Sequence, residues 1–240
     1  MRLAVLGDVH GNRPALEAVL EGVWEAAPDM VLNLGDTVWG AADPGGAWAL
    51  QREHAPPSVR GNTDERVAGL RGGKETMRAW LWTQLPADVP DLLAALPTFL
   101  DVAGGEVRVA HGSPRSPWED LLLTEVGEHT HPAHFREVRE RLGDFTFENG
   151  GRVCVVGHTH REMLSVVDGV TVVNAGPVSR QKDGLPLARW VLLTRRRGTW
   201  APEFRRTGYD VEAAAEWARA QAPAKQADFE AEWLTRGKEP

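Results

Sequence analysis

The stretch Leu3–Leu20, "LAVLGDVHGNRPALEAVL", joins an apolar run to an amphipathic one across a turn that carries Asp8, His10 and Asn12. "LAVL" is aliphatic and suits a buried strand. "PALEAVL" spaces its apolar residues at helical intervals, with Pro14 in the first turn, where a backbone N–H has no intrahelical partner to lose. Strand, glycine turn and helix in that order are the opening of a βαβ unit. An acid and a histidine at the end of a buried strand need partners, and the rest of the chain offers them.

The same alternation repeats. "MVLNLGD" reads as strand and turn, "GGAWALQREH" as helix, and "SVRGN" as a third strand ending in a turn. Strands alternating with helices over the first third imply parallel pairing with crossover helices. From Lys74 to Leu96 the pattern is helical, interrupted near Pro86 and Pro90. The second half is richer in strands: "TFLDV", "EVRVAHG", "RVCVVGHTH", "EMLSVVDGVTVVNAG" and "LARWVLLTRRRGTWAPEFRRT". Asp168-Gly169 between β-formers signals a two-residue hairpin turn. "PAHFREVRERLG" and the segment from Asp210 to Leu234 read as amphipathic helices. There is no internal repeat and no linker composition. The expectation is one α/β domain over 1–240 with two packed sheets, its helices from about residue 210 lying on the outside.

The chain has 240 residues, 42% hydrophobic and 25% charged, with a net charge of -7. That balance argues against a general affinity for nucleic acid or anionic membrane, which needs a cationic surface. The single cysteine, Cys154, sits in the apolar run "VCVVG" and excludes both an intrachain disulfide and a thiolate metal cluster. It reads as a small buried hydrophobe. No apolar stretch suits a signal peptide or a membrane span, so a soluble, cytoplasmic protein is expected.

Five strand-like runs end in polar clusters: "VLGDVH", "LNLGD", "VRGN", "VAHG" and "VVGHTH". Their side chains are Asp8, His10, Asp36, Asn62, His111, His158 and His160. In open α/β sheets the carboxyl ends of strands form the ligand-binding edge. Any one aspartate could be a helix cap, and any one histidine a satisfied hydrogen-bonder. Capping must be invoked afresh at each of the five ends, however, and does not explain why metal-competent residues recur there. Seven N/O donors exceed the needs of one first-row ion and suit two that share a carboxylate. Such pairs lower the pKa of a bridging water and clamp the oxygens of an in-line displacement.

With these residues in order, the chain resembles the calcineurin-like metallophosphoesterase family, in its compact bacterial phosphodiesterase branch. "GDVHGN", Gly35-Asp36, Gly61-Asn62, His111-Gly112 and "GHTH" match its five blocks. "NAGPVSRQKDG" resembles the segment that follows them. The resemblance implies a four-layer αββα sandwich, with two mixed sheets flanked by helices. It assigns Asp8, His10, Asp36 and His160 to one metal, and Asp36, Asn62, His111 and His158 to the other, with Asp36 as bridge. Asp36, Asn62 and His111 are thereby the catalytic set. Asn12 is expected to touch the substrate phosphate. Two divalent cations are implied: Mn²⁺ first, with Fe, Zn²⁺, Ni²⁺ or Co²⁺ as alternatives.

Two blocks depart from the family pattern. "GNTD" puts Thr63 where a histidine often stands, and a threonine hydroxyl donates a hydrogen bond but is no acid near neutral pH. "GDTVWG" has Trp39 and Gly40 where phosphoprotein phosphatases carry an Asp–Arg pair. Both point away from phosphoproteins and toward small nucleotide-like or cyclic phosphodiesters attacked by a metal-bridging hydroxide. The alternatives are a phosphomonoesterase, a phosphoprotein or dinucleoside polyphosphate phosphatase, or a non-catalytic protein-binding scaffold of the same fold. Trp39 is weighed as a flat wall for a nucleobase against a core or lid residue. Arg115, in "HGSPRSPW", is a candidate phosphate contact. The histidines of "GEHTHPAHF" read as a solvated loop, and the five arginines of "TRRRGTW" and "FRRTG" as a solvated strand edge. A small phosphoester is the expected partner, with neither membrane nor stable nucleic-acid binding; the oligomeric state stays open.

Overall fold

The computed structural model describes residues 1–72, 75–127, 129–145 and 152–240. Lys74, where the third helical segment was expected to begin, and Glu128, within the histidine-rich segment, lie outside the described residues.

β1 (Arg2–Leu6) pairs in parallel with β2 (Met30–Asn33), and α1 (Arg13–Glu25) crosses between them, as the opening stretch requires. Antiparallel strands β10 (Ala188–Arg196) and β11 (Thr199–Thr207) complete the first sheet, in the order β11-β10-β1-β2. The second sheet has the order β3-β4-β7-β9-β8, from β3 (Phe99–Val102), β4 (Val107–Ala110), β7 (Val153–Val156), β8 (Glu162–Val167) and β9 (Val170–Ala175). β8 and β9 form the hairpin signalled by Asp168-Gly169.

Strand periodicity divides the core into layers. Leu3 and Val5 of β1 face Val107, Val109, Val153 and Val155 of the second sheet. Ala4 and Leu6 face the other way, onto Leu16 and Val19 of α1. Beyond the second sheet, Cys154 and Val156 pack on Val138 and Leu142 of α6 (Phe135–Leu142). Helix, sheet, sheet, helix is the four-layer arrangement expected. Inner strands buried on both faces explain why their sequences are continuous apolar runs rather than alternating ones. Burial pushes the Cys154 thiol up to about 12, consistent with an inert core residue.

Two local expectations fail. "SVRGN" forms no strand: Pro56 and Pro57 interrupt backbone donors, and only a single bridge, Asn33 to Ser58, remains. The histidine-rich segment is not simply a loop. β5 (Leu123–Val126) and β6 (His129–Pro132) form an exposed two-stranded ribbon, and His134 caps α6. Between α2 (Pro44–His54) and β3 lie α3 (Asn62–Val67), α4 (Glu75–Gln84) and α5 (Val89–Ala94). The chain ends in α7 (Val211–Gln221) and α8 (Ala224–Arg236).

Candidate metal centre

Four of the five blocks sit immediately beyond a strand or in the turn after it, the Gly61-Asn62 block opens α3, and backbone hydrogen bonds join the turns. Asp8 N–H donates to the Gly35 carbonyl (3.0 Å), His10 N–H to that of Asp36 (2.9 Å), and Gly157 N–H to that of His111 (2.8 Å). Asp8, His10, Asp36, His158 and His160 all have φ between 49° and 69°. Asp and His tolerate this left-handed region better than most residues, yet each such position costs on the order of 1–3 kcal/mol. Strain gathered at five chemically matched positions marks a site rather than ordinary turns. Gly61 is needed for a steric reason: a Cβ there would collide with Asp36 Oδ1.

The seven side chains converge. His10 Nε2 and His160 Nε2 lie 3.0 Å apart. Asp36 Oδ2 is 3.6 Å from His10 Nε2, and Asp8 Oδ1 is 3.6 Å from His160 Nε2. On the other side, Asn62 Oδ1 is 2.9 Å from His111 Nε2 and 3.0 Å from His158 Nδ1, and Asp36 Oδ1 is 3.5 Å from His111 Nε2. Asp36 thus turns one oxygen to each half of the cluster.

Tautomers decide what these contacts mean. Backbone carbonyls accept from the Nδ1–H groups: Trp39 from His10 (2.9 Å), Leu34 from His111 (2.9 Å) and Arg180 from His160 (2.6 Å). With Nδ1 protonated, each Nε2 carries a bare lone pair. Lone pairs of His10 and His160 therefore face each other, and the His111 lone pair faces the Asn62 amide oxygen. The only partners that satisfy such an acceptor-only cluster are cations or protons. Mixed imidazole, carboxylate and amide oxygen donors suit first-row divalent ions, so the residues fit the group.

Electrostatics agree. Burial, reinforced by Asp36, holds the Asp8 carboxyl well above the usual range. Burial and then Asp64 raise Asp36 to about 7. Burial lowers His111 and His158 to about 4, and depresses His10 and His160 as well. The imidazoles are thus held neutral, as ligands must be, while the carboxylates lack compensating charge.

Residues 1–197 match the calcineurin-like phosphoesterase superfamily domain. The chain belongs to that superfamily. Its members use dinuclear divalent metals. An uncharacterized protein of Methanocaldococcus jannaschii is 26% identical over 237 residues, covering 89% of this chain and 90% of its own. A metallophosphoesterase from Sphaerobacter thermophilus superposes with a TM-score of 0.77 at 26% identity, over 99% of this chain and all of its own. A hypothetical protein of Pyrococcus horikoshii shares the fold (TM-score 0.76, 19% identity, 100% and 99% covered).

The cluster opens into a cleft of about 580 Å³, in the size range of small-molecule sites. Trp39 and Thr63 line it, but two expected substrate contacts do not. Asn12 is fully buried as the N-cap of α1: its Oδ1 accepts from Ala15 N–H (3.1 Å) and its amide donates to Ser179 (2.9 Å). Arg115 spends its fork on Glu119 and Glu140 at 2.5 to 3.2 Å, outside the lining. Trp39 is only 3% exposed and packs with Val67 and Met77, which leaves little ring face for a nucleobase.

Sequence reasoning missed three contributors. Asp64 accepts from the N–H groups of Asp36 (2.9 Å), Thr37 (3.0 Å) and Gly61 (2.8 Å), locking the second block to the third. The capping spacing of "GNTD" was its signal. Arg66 lines the cleft four residues after Asn62, so it shares that helix face. From α8, Lys225, Phe229, Glu230 and Trp233 form the far wall. This helix was expected outside; its inner face borders the site.

Proposed function

We propose that this protein is a dinuclear-metal phosphodiesterase acting on small nucleotide-like or cyclic phosphodiesters. The observation that carries the reading is an acceptor-only cluster of imidazoles and carboxylates at the base of an open cleft lined by Arg66, Lys182 and Lys225. A chain of net charge -7 thus presents positive side chains where a phosphoester would enter.

Asp8, His10, Asp36 and His160 would hold one ion, and Asp36, Asn62, His111 and His158 the other. Divalent ions, when bound there, would supply positive charge for the phosphoryl oxygens and Lewis acidity toward water. The protein's own part is to keep the imidazoles neutral by burial, to fix their tautomers through three carbonyls, and to hold Asp36 between the two halves. Thr63 N–H donates to Asp36 Oδ1 (2.8 Å), fixing that carboxylate's orientation. Thr63 supplies no acid for the leaving group, which favours aryl, nucleotide and cyclic diesters over alkyl monoesters. We read the whole chain, 1–240, as one cytoplasmic domain, because α8 returns to wall the site; among the described residues no helix is long and apolar enough to cross a membrane.

The row of Arg66, Lys182 and Lys225 favours, as a second reading, a substrate with more than one phosphate, such as a dinucleoside polyphosphate. A panel of bis-p-nitrophenyl phosphate, cyclic nucleotides, dinucleoside polyphosphates and alkyl monoesters separates the two. It is run with Mn²⁺, Ni²⁺, Co²⁺ and Zn²⁺, with Asp36→Asn as blank. Diesters turned over fastest support the first reading. Monoesters fastest would overturn it, and no turnover with any metal would leave a binding scaffold.

A further inference from the structure

Arg66 is an arginine without a carboxylate among the described residues. Its neighbours differ: Arg60 and Arg71 both approach Glu65, at 3.3 and 3.7 Å. The Arg66 guanidinium instead lies between two indoles, with Cζ 5.0 Å from the Trp118 ring centroid and 5.8 Å from that of Trp39. Trp118 is itself fixed, since its Nε1–H donates to Glu65 (2.6 Å). Arg66 Nε is buried with no acceptor among the described residues, whereas the nearby Thr63 hydroxyl has the Asp36 carboxylate beside it. Both residues line the cleft with Asp36, Asn62 and His158.

Buried donors are normally satisfied, and a guanidinium left without an acceptor on the cleft wall implies one that arrives from outside the chain. Aromatic faces hold a guanidinium by cation–π attraction while leaving its in-plane N–H fork free. A free, pre-oriented fork matches the paired oxygens of a phosphoryl group. A neutral ligand would not use the charge, and a metal ion would be repelled by it.

We propose that Arg66 is the phosphate anchor of this site: its N–H fork takes non-bridging oxygens of the bound phosphoester. The proposal rests on the phosphoesterase reading for the identity of the ligand, and it gives "GDTVWG" a functional counterpart, with the cation supplied from α3 rather than from the second block.

Inorganic phosphate is the probe. Its affinity for the manganese-loaded protein is measured by calorimetry for wild type, Arg66→Gln and Arg66→Lys, alongside metal content, melting temperature and kcat/KM on bis-p-nitrophenyl phosphate. Loss of a charge-assisted, two-pronged contact should weaken phosphate binding roughly 10- to 100-fold in Arg66→Gln, with metal content unchanged. Arg66→Lys keeps a charge but not the fork, so it should recover only part of the loss and serves if the glutamine variant folds poorly. Wild-type phosphate affinity in both variants, with metal in place, would overturn the anchor. Hydrolysis by wild type with unchanged kinetics in the variants would do so while leaving the phosphoesterase reading intact. Phosphate binding that depends on Arg66, without any hydrolysis, would do the reverse.

Discussion

The metal cradle and the C-terminal wall meet at His160 but are built on different principles. In the cradle, most donors sit in short turns beyond β1, β2, β4 and β7, with Asn62 opening α3, and the turns hold one another through hydrogen bonds between blocks. In the wall, α8 reaches the site only through packing. Arg180, whose carbonyl orients His160, has its guanidinium paired with Glu230 of α8 (Nε to Oε1, 3.0 Å). Trp233 Nε1–H donates to the Gln181 carbonyl (2.6 Å), and its ring centroid lies 6.2 Å from that of His160. The family domain match ends at residue 197, so α8 lies wholly beyond it. Local turns thus set which donors are present, and a remote helix sets how firmly one of them is aimed.

The sharpest way to test that division is to remove the shared carboxylate. Asp36→Asn should abolish phosphodiester hydrolysis and the metal-dependent rise in melting temperature. The metal-free variant should melt higher than metal-free wild type at pH 8, because a buried carboxylate raised to about 7 is ionised there at a cost on the order of a few kcal/mol. The Asn amide also brings a donor into a cluster of acceptors. Lower melting of the metal-free variant would contradict this electrostatic picture of the cradle.

Glu230→Ala attacks the wall. It leaves Arg180 largely buried without its partner, and breaking such a pair costs roughly 3–5 kcal/mol. Because the Arg180 carbonyl holds the His160 tautomer, metal affinity should also fall about 10- to 100-fold, as for other residues that orient a ligand. Calorimetric titration of Mn²⁺ checks this. A lower melting temperature with unchanged metal affinity would separate the wall from the cradle after all.

Acid should weaken the cradle in a defined window. Metal binding needs both Asp36 and Asp8 ionised, and burial raises both, so affinity should fall as pH drops through about 7, where Asp36 takes up its proton. His111 and His158 contribute nothing above pH 5, since burial holds them near 4. For the metal-free fold the signs oppose. Asp36, raised in the folded state, contributes stability that is lost as pH rises from about 4 to about 7. The two histidines, lowered, contribute stability that is lost as pH falls from 6.5 to about 4. Metal affinity that did not change between pH 5 and pH 8 would contradict the raised carboxyls.

Substitutions outside both regions should do least. Asn12→Ala removes the cap of α1, costing about 1 kcal/mol by thermal melting, with phosphate affinity intact. Arg115→Ala, at an exposed pair, should change stability by less than about 1 kcal/mol and leave kcat/KM unaltered.

The cradle was legible because its cues are local: apolar run, glycine, donor, repeated at five positions. Asn12 misled because a cap and a ligand contact ask for the same residue at the same place. "SVRGN" misled because its β-forming Val59 follows two prolines that deny ladder donors. Arg66 and α8 left no such cue. Arg66 acquires its role from two tryptophans at 39 and 118, brought to it only by folding, and the inner face of α8 shows the same amphipathic pattern as any surface helix.

Anomalous diffraction from a crystal grown with Mn²⁺ tests the arrangement most directly. Two peaks are expected, one among Asp8, His10 and His160, the other among Asn62, His111 and His158, with Asp36 touching both. A single peak, or none within reach of Asp36, would contradict it.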